Sequence, residues 1–223
     1  MTAGATGPRG GGPAGADEPV WYVAYGSNVD RARLSSYLEG DRHLGPASTH
    51  DGARDRTPPA ADAAHRLGLE VFFAGRSTRW DGAVAYCSHP GPAAGPVLGR
   101  RWLLRWSQLE DLVRQENRHP EPLAVPLDRL RTAGHLDALG GRYGRLVWLG
   151  TVDGVPAVTA TCARATSPDA PAGLGYLRTI ARGLREAWGL DHLEVARYLA
   201  ARRGNVGHHD ARLLADQLAH PLE

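Results

Sequence analysis

Val20-Trp21-Tyr22-Val23-Ala24-Tyr25-Gly26-Ser27-Asn28 is the stretch from which the rest of the chain is read. It opens as a run of β-branched and aromatic residues, the composition of a buried strand. It then stops on Gly-Ser-Asn, and Arg31-Ala32-Arg33-Leu34 follow with better helix-forming character. A strand that turns sharply on a glycine into a helix leaves several backbone N–H groups unpaired and pointing the same way. Such a turn can cradle a carboxylate or a developing oxyanion. Gly26 lets a ligand approach the backbone, because no Cβ stands in the way. An ordinary strand-to-helix turn reads the same, so residues further along the chain must decide between the two.

Downstream, Leu67-Gly68-Leu69-Glu70-Val71-Phe72-Phe73 is a strand pattern, and Trp80-Asp81-Gly82-Ala83-Val84-Ala85-Tyr86 is another, broken by His89-Pro90-Gly91-Pro92. Pro96 to Leu104 reads as a third. Ser107-Gln108-Leu109-Glu110 has the form of a capping box, with Ser107 as N-cap of a helix to about Gln115 or slightly beyond, ended by Arg118-His119-Pro120. The stretch from Leu123 to Arg145 is loop-rich and gives no assignment. Leu146–Thr151 and Val155–Thr161 flank Val152-Asp153-Gly154, which predicts a hairpin. The last third is helical. Leu177, Ile180, Leu184, Ala187 and Trp188 form one apolar face, with Gly189 past its end. Asp191 and Glu194 cap the next helix, and a final one runs from about Asp210 to Leu218. Strands followed by helices, without regular βαβ alternation, predict an α+β domain with a small mixed, curled or barrel-like sheet flanked by helices.

The chain has 223 residues and is 42% hydrophobic, enough for one domain with a real core. We expect a disordered tail over 1–18, a single domain over 19–206 and a C-terminal helical extension over 207–223. The tail is Gly-, Ala- and Pro-rich and lacks the apolar core of a secretory signal. Within the domain, 40–64 is polar and reads as a surface insertion. A net charge of +2 is too mild to argue for nucleic acid. No apolar run is long enough to span a bilayer. Cys87 and Cys162 lie in apolar runs and read as free thiols in a reducing cytoplasm, the alternative being one bonded pair.

Glu116 is the informative carboxylate. At about 100° per residue it falls within the stripe of Leu109, Leu112 and Val113, while Glu110 and Asp111 lie off it. A carboxylate on a core-facing stripe must be hydrogen-bonded, paired or held partly protonated, and a raised pKa suits a group that both accepts and donates protons. The alternative is that the helix frays first and Glu116 reaches water.

Together these residues resemble the γ-glutamyl cyclotransferase family. Tyr25-Gly26-Ser27-Asn28 after an apolar strand is similar to that family's signature. Trp80-Asp81-Gly82-Ala83-Val84-Ala85 is similar to its Trp-x-Gly-Gly-x-Ala strand, with Asp81 departing from a cleaner glycine pair. Leu112-Val113-Arg114-Gln115-Glu116-Asn117 resembles the helix end that presents the catalytic glutamate. Asn117 replaces the usual glycine there, as the next-best residue for a left-handed backbone. Tyr176-Leu177-x-x-Ile180, Gly183 and Glu186-x-x-Gly189-Leu190 resemble the late helix and its following turn. The resemblance runs from about Val20 to Arg203 and fits poorly in 40–64 and the loop-rich middle. It implies release of 5-oxoproline from a γ-glutamyl amine or γ-glutamyl amino acid. Glu116 would be the general base and acid, and the backbone of Tyr25, Gly26, Ser27 and Asn28 would hold the glutamyl head. Tyr176 is a candidate pocket residue, though a tyrosine opening an amphipathic helix is commonly core. The expected partner is a small γ-glutamyl molecule, with no cofactor, metal, nucleic acid or membrane.

Two other readings of the sequence stand beside this one. A non-catalytic module could keep the pocket for a small acidic ligand. A metal-dependent deacylase would draw on ten histidines, yet only His208-His209-Asp210 clusters locally and no paired metal-ligand spacing is present.

Overall fold

Strand β1 (Pro19–Ala24) lies inside a six-stranded sheet, where only its first residue is exposed. A strand covered on both faces needs the continuous apolar run that Val20–Ala24 supplies. The computed structural model describes residues 15–41, 50–88, 97–163 and 171–220. Its elements are β1, α1 (Arg31–Glu39), β2 (Ala61–Leu67), β3 (Val71–Ser77), β4 (Gly82–Cys87), β5 (Val97–Arg105), α2 (Trp106–Glu116), α3 (Leu127–Ala133), β6 (His135–Asp137), β7 (Arg145–Val152), β8 (Val155–Thr161), α4 (Leu174–Trp188), α5 (His192–Ala200) and α6 (Ala211–Ala219). The sheet order is β2-β5-β1-β8-β7-β6, and β3 with β4 forms a separate hairpin. β1 runs antiparallel to β5 and parallel to β8, so the sheet is mixed. The architecture is α+β, with six helices among the described residues around a mixed sheet. Among the described residues that sheet is open and does not close into a barrel.

Helix α2 packs Leu109, Leu112 and Val113, all fully buried, toward β1 and β5. Helix α4 carries Leu177, Ile180 and Leu184 into the core and packs against β5 and the turn after β1. Asp153 and Gly154, with φ of 53° and 78°, make the tight β7–β8 turn expected from Asp-Gly. Asp191 and Glu194 form the capping box of α5. Asp210 caps α6 by accepting from the Arg212 and Leu213 N–H groups.

Several local expectations shift. Helix α2 starts at Trp106 with Arg105 as its N-cap, two residues earlier than a Ser107 cap would place it. Gln108 Oε1, at the third position, accepts from the Arg105 N–H at 2.9 Å. Glu110, freed from capping, accepts from the Val125 N–H and Arg54, and Asp111 accepts from the Arg54 backbone and guanidinium. Both carboxylates are therefore buried, although the helical wheel places them off the apolar stripe. Those bonds also fasten part of 40–64, the stretch read as a surface insertion. Ala53 N–H donates to Leu38 O, Gly52 N–H to Gln115 Oε1, and β2 begins inside the stretch. Polar pairing with α2 orders residues that have little apolar surface of their own. Leu67 closes β2, and the next strand starts only at Val71. The loop-rich middle contains α3 and β6. At the chain's start, Ala16 O and Glu18 O accept from the first N–H groups of α2, within the 1–18 stretch expected to be disordered. The His89-Pro90-Gly91-Pro92 break lies outside the described residues. Cys87 and Cys162 are free thiols. Among the described residues, no helix is long and apolar enough to cross a membrane.

Candidate active site

After β1 the chain turns through Tyr25 and Gly26 into a single 3-10 turn, Ser27–Val29. Its carbonyls are used internally, since Val29 N–H donates to Gly26 O and Asp30 N–H to Ser27 O, both at 3.1 Å. The N–H groups at the start of such a turn have no partner within it. Asp30 caps α1 through Arg33 N–H at 2.9 Å and is gripped by Arg182 of α4 at 2.5 and 2.8 Å. Gly183 of α4 lies so near that a Cβ there would collide with the Val29 carbonyl. Two helices thus fix the turn from outside the pocket.

Glu116 ends α2 and is half-buried, facing this turn. Its Oε1 accepts from Asn28 Nδ2 at 3.0 Å. The same Nδ2 reaches the Tyr22 hydroxyl at 3.2 Å, while Asn28 Oδ1 is buried without a partner. Trp102 Nε1 donates to the Asn28 carbonyl at 2.9 Å and fixes the residue's backbone.

A small inner pocket of about 20 Å³ is lined by Tyr22, Tyr25, Gly26, Ser27, Asn28, Ala85, Leu112, Glu116, Tyr143, Ala160 and Tyr176. All of the sequence-predicted site residues meet here. Tyr176 is 2% exposed, accepts from the Ala85 N–H at 3.1 Å, and lies 2.8 Å from where a Cβ on Gly26 would sit. The Tyr143 hydroxyl donates to the Ala85 carbonyl at 3.0 Å, and the Tyr25 hydroxyl to that of Ala160 at 2.8 Å. Burial pushes the pKa of Tyr22, Tyr25, Tyr143 and Tyr176 upward, so all four stay neutral at physiological pH. Glu116 is the pocket's one carboxylate.

The pocket opens into an outer cleft of about 660 Å³ that shares Ser27, Glu116, Tyr143 and Tyr176. Its walls include Arg33, Tyr37, His50, Arg79, Trp80, Arg118 and Arg142. His50 is buried, and desolvation, followed by the nearby Arg33 charge, lowers its pKa to about 4.

No sequence pattern marks Tyr143 or the arginines of the cleft. Tyr143 stands in the unassigned middle, and only its spatial approach to Glu116 reveals it. Asn117 also behaves differently from expectation. Its backbone is at φ −97°, ψ 2°, and the left-handed residue is Arg118, at φ 50°. Asn117 Nδ2 donates to the Val113 carbonyl at 2.8 Å, and Oδ1 accepts from Tyr143 N–H at 3.1 Å. The side chain therefore fastens the Tyr143 loop to the end of α2. Asp81, the other departure, does take a positive φ, 46°, at an exposed turn position. Asp210 of the histidine cluster is spent as a helix cap. Among the described residues, no group of three or more His, Cys, Asp or Glu is arranged to hold a metal ion.

No protein-family profile matches the chain. A curated protein, histone deacetylase 5 of Arabidopsis thaliana, is 26% identical over 199 residues. The match takes in 81% of this chain and only 30% of that protein. A solved structure described as a gamma-glutamyl cyclotransferase superposes with a TM-score of 0.50 at 18% identity, covering 91% of this chain and 99% of the other. An uncharacterized human protein, also 18% identical, superposes with a TM-score of 0.47 over 91% of this chain and 99% of its own. The chain has a γ-glutamyl cyclotransferase-like fold.

Proposed function

We propose that the protein is a cyclotransferase that releases 5-oxoproline from a γ-glutamyl amine or γ-glutamyl amino acid. The observation that carries this reading is the placement of Glu116. A lone carboxylate, tied to Asn28, faces a glycine turn in a pocket whose tyrosines are all held neutral. The α-nitrogen of the glutamyl head attacks its own γ-carbonyl carbon, and the bond to the leaving nitrogen breaks. Two protons leave the α-ammonium and two arrive on the leaving nitrogen, which departs as an ammonium. Glu116 accepts the first proton and carries protons onward as base and then acid. The unpartnered Asn28 Oδ1 is a ready acceptor for the α-ammonium. The N–H groups opening the Ser27 turn face the developing oxyanion. Because the reaction is intramolecular, holding the chain curled supplies much of the rate. The chemistry calls for neither metal nor organic cofactor.

The γ-glutamyl cyclotransferase-like fold supports this reading at the level of architecture. A small-ligand-binding module of the same fold is the second reading, favoured by the outer cleft being larger than the reacting pocket requires. A deacylase finds no support at this pocket, since the site holds one carboxylate and no clustered metal donors. Incubating the protein with a panel of γ-glutamyl amides and following 5-oxoproline by mass spectrometry tests the proposal. Saturable binding with no 5-oxoproline from any member overturns the enzyme in favour of the module.

A further inference from the structure

The outer cleft carries a charge imbalance that cyclisation itself does not use. Four arginines, Arg33, Arg79, Arg118 and Arg142, line it, and among the described residues its only carboxylate is Glu116, the group assigned to proton transfer. Arg33 comes from α1 and Arg79 from the turn between β3 and β4, and their guanidinium carbons lie 5.9 and 5.6 Å from the centroid of the same Trp80 ring. Both cations thus stand on the same stretch of cleft wall, where they attract an anionic group of a ligand. The Arg33 guanidinium donates to neutral groups, His50 Nε2 at 2.7 Å, the Tyr37 hydroxyl at 2.5 Å and the Ser36 hydroxyl at 3.4 Å, and its Nε is buried with no acceptor. Tyr37 is held neutral by burial, and the His50 pKa is lowered first by desolvation and then by the Arg33 charge. The Arg79 pKa is likewise lowered, first by desolvation and then by Arg33. Asp41 acts on both His50 and Arg79, and Asp51 on His50, but neither lines the cleft.

We infer that the cleft around Arg33, Arg79 and Trp80 is a subsite for an acidic leaving portion, so that the substrate is a γ-glutamyl derivative of a dicarboxylic amino acid rather than of a neutral or cationic amine. The inference rests on the cyclotransferase reading for the position of the scissile bond. The glutamyl head enters the inner pocket, and the portion beyond the γ-carbonyl projects past Glu116 into the cleft. One carboxylate there meets the Arg33 Nε and completes its hydrogen bonding. A second adds negative charge on the Arg79 side. Guanidinium–carboxylate pairs shielded by an indole face are stronger than exposed ones. A cationic amine in the same place meets two like charges and is rejected.

The test compares γ-glutamyl-ethylamide, γ-glutamyl-alanine and γ-glutamyl-aspartate, whose leaving portions carry no, one and two carboxylates. kcat/KM is expected to rise about tenfold with each added carboxylate, the range of one charge-assisted contact. Raising the salt concentration should compress the series. Arg33→Gln should collapse the ratio between aspartate and ethylamide compounds to within about threefold. Binding is measured separately by calorimetry on Glu116→Gln protein. There γ-glutamyl-aspartate should bind at least about tenfold more tightly than γ-glutamyl-ethylamide, and Arg33→Gln on that background should abolish the difference. Equal affinities, or tighter binding of a cationic γ-glutamyl-putrescine, overturn the subsite whether or not 5-oxoproline forms. Selective binding without any 5-oxoproline retains the subsite and overturns the cyclotransferase instead.

Discussion

The Asn28 side-chain amide donates to Glu116 Oε1 across 3.0 Å, and this one bond joins the turn after β1 to the end of α2. The amide orientation follows from its partners, because a carboxylate can only accept from it. Its Oδ1 is then left buried and unpaired, at a cost of about 1–3 kcal/mol until a donor arrives. Asn28→Ala removes both the donor and the unpaired acceptor, so stability should change by no more than about 1 kcal/mol. Turnover should fall about tenfold to a hundredfold, since Glu116 loses the group that orients it. Chemical denaturation and kinetics on one preparation check this. A large stability loss with unchanged rate per folded molecule would show Asn28 to be structural only.

Much of this arrangement is legible in residues 20–28 and at Glu116, because a doubly covered strand and a carboxylate among leucines each violate a simple pattern. The helical wheel fails at Glu110 and Asp111 for a physical reason. Their burial is compensated by Arg54, a residue over 50 positions away, and long-range pairing leaves no local trace. The resemblance to γ-glutamyl cyclotransferases suggests a left-handed position at Asn117, in place of a glycine. The structure gives that backbone role to Arg118 and uses the asparagine side chain to hold Tyr143. Tyr143 itself sits in a turn-rich stretch with no period to read.

Asn117 therefore offers a second prediction. Asn117→Gly should not stabilise the protein, because its φ is −97° and no left-handed strain is relieved. The loss of two hydrogen bonds should cost about 1–3 kcal/mol and loosen the Tyr143 loop. Thermal melting reads the first effect. A rise in KM exceeding any fall in kcat would report the second, and a melting temperature higher than wild type would contradict the account.

Gly26 is a test of close packing. A Cβ there would lie 2.8 Å from the Tyr176 hydroxyl and 3.4 Å from the Ala85 Cβ. Gly26→Ala should lose about 1–3 kcal/mol of stability to overpacking and most of its activity. Tyr176→Phe removes the colliding oxygen but orphans the Ala85 N–H. The double variant should be more stable than the two separate losses predict, by roughly 1 kcal/mol in a double-mutant cycle. Strict additivity would mean that the two residues do not meet.

Acid should weaken the site's surroundings in two steps. Glu186 on α4 pairs with buried Arg100 at 2.9 Å and with Arg31, and the Arg100 bond is the main reason its pKa falls from 4.5 to about 2. A depressed carboxyl pKa means that the folded state binds its proton less readily than the unfolded chain. Its contribution is therefore complete above pH 4.5 and lost as pH falls from there toward about 2. His50 acts in an earlier window. Its pKa drops from 6.5 to about 4, so protonation of the unfolded chain draws stability away across that range. Melting temperature should decline through both windows. Glu186→Gln should flatten the lower one and leave the upper one, and an unchanged profile from pH 4.5 down toward about 2 would rule out the Glu186 brace.

The functional proposal stands or falls on Glu116→Gln. Glutamine keeps the side chain's shape and one oxygen that can still accept from Asn28 Nδ2, so the joint between the turn and α2 survives. What it loses is the ability to take a proton from the α-ammonium and return one to the leaving nitrogen. The variant should remain folded, bind γ-glutamyl ligands, and turn over about two to four orders of magnitude more slowly, the usual worth of a general acid–base group. Ser27→Ala is the matched control. The Ser27 hydroxyl has no histidine–acid pair among the pocket residues to activate it, and cyclisation needs no acyl-enzyme. That variant should keep measurable activity and show no covalent adduct. A structural Glu116 would produce the opposite pattern, with altered melting and near-normal turnover per folded molecule. Melting curves, ligand titration and 5-oxoproline formation on the same samples separate the two, because only the proton-transfer role predicts intact binding with lost turnover.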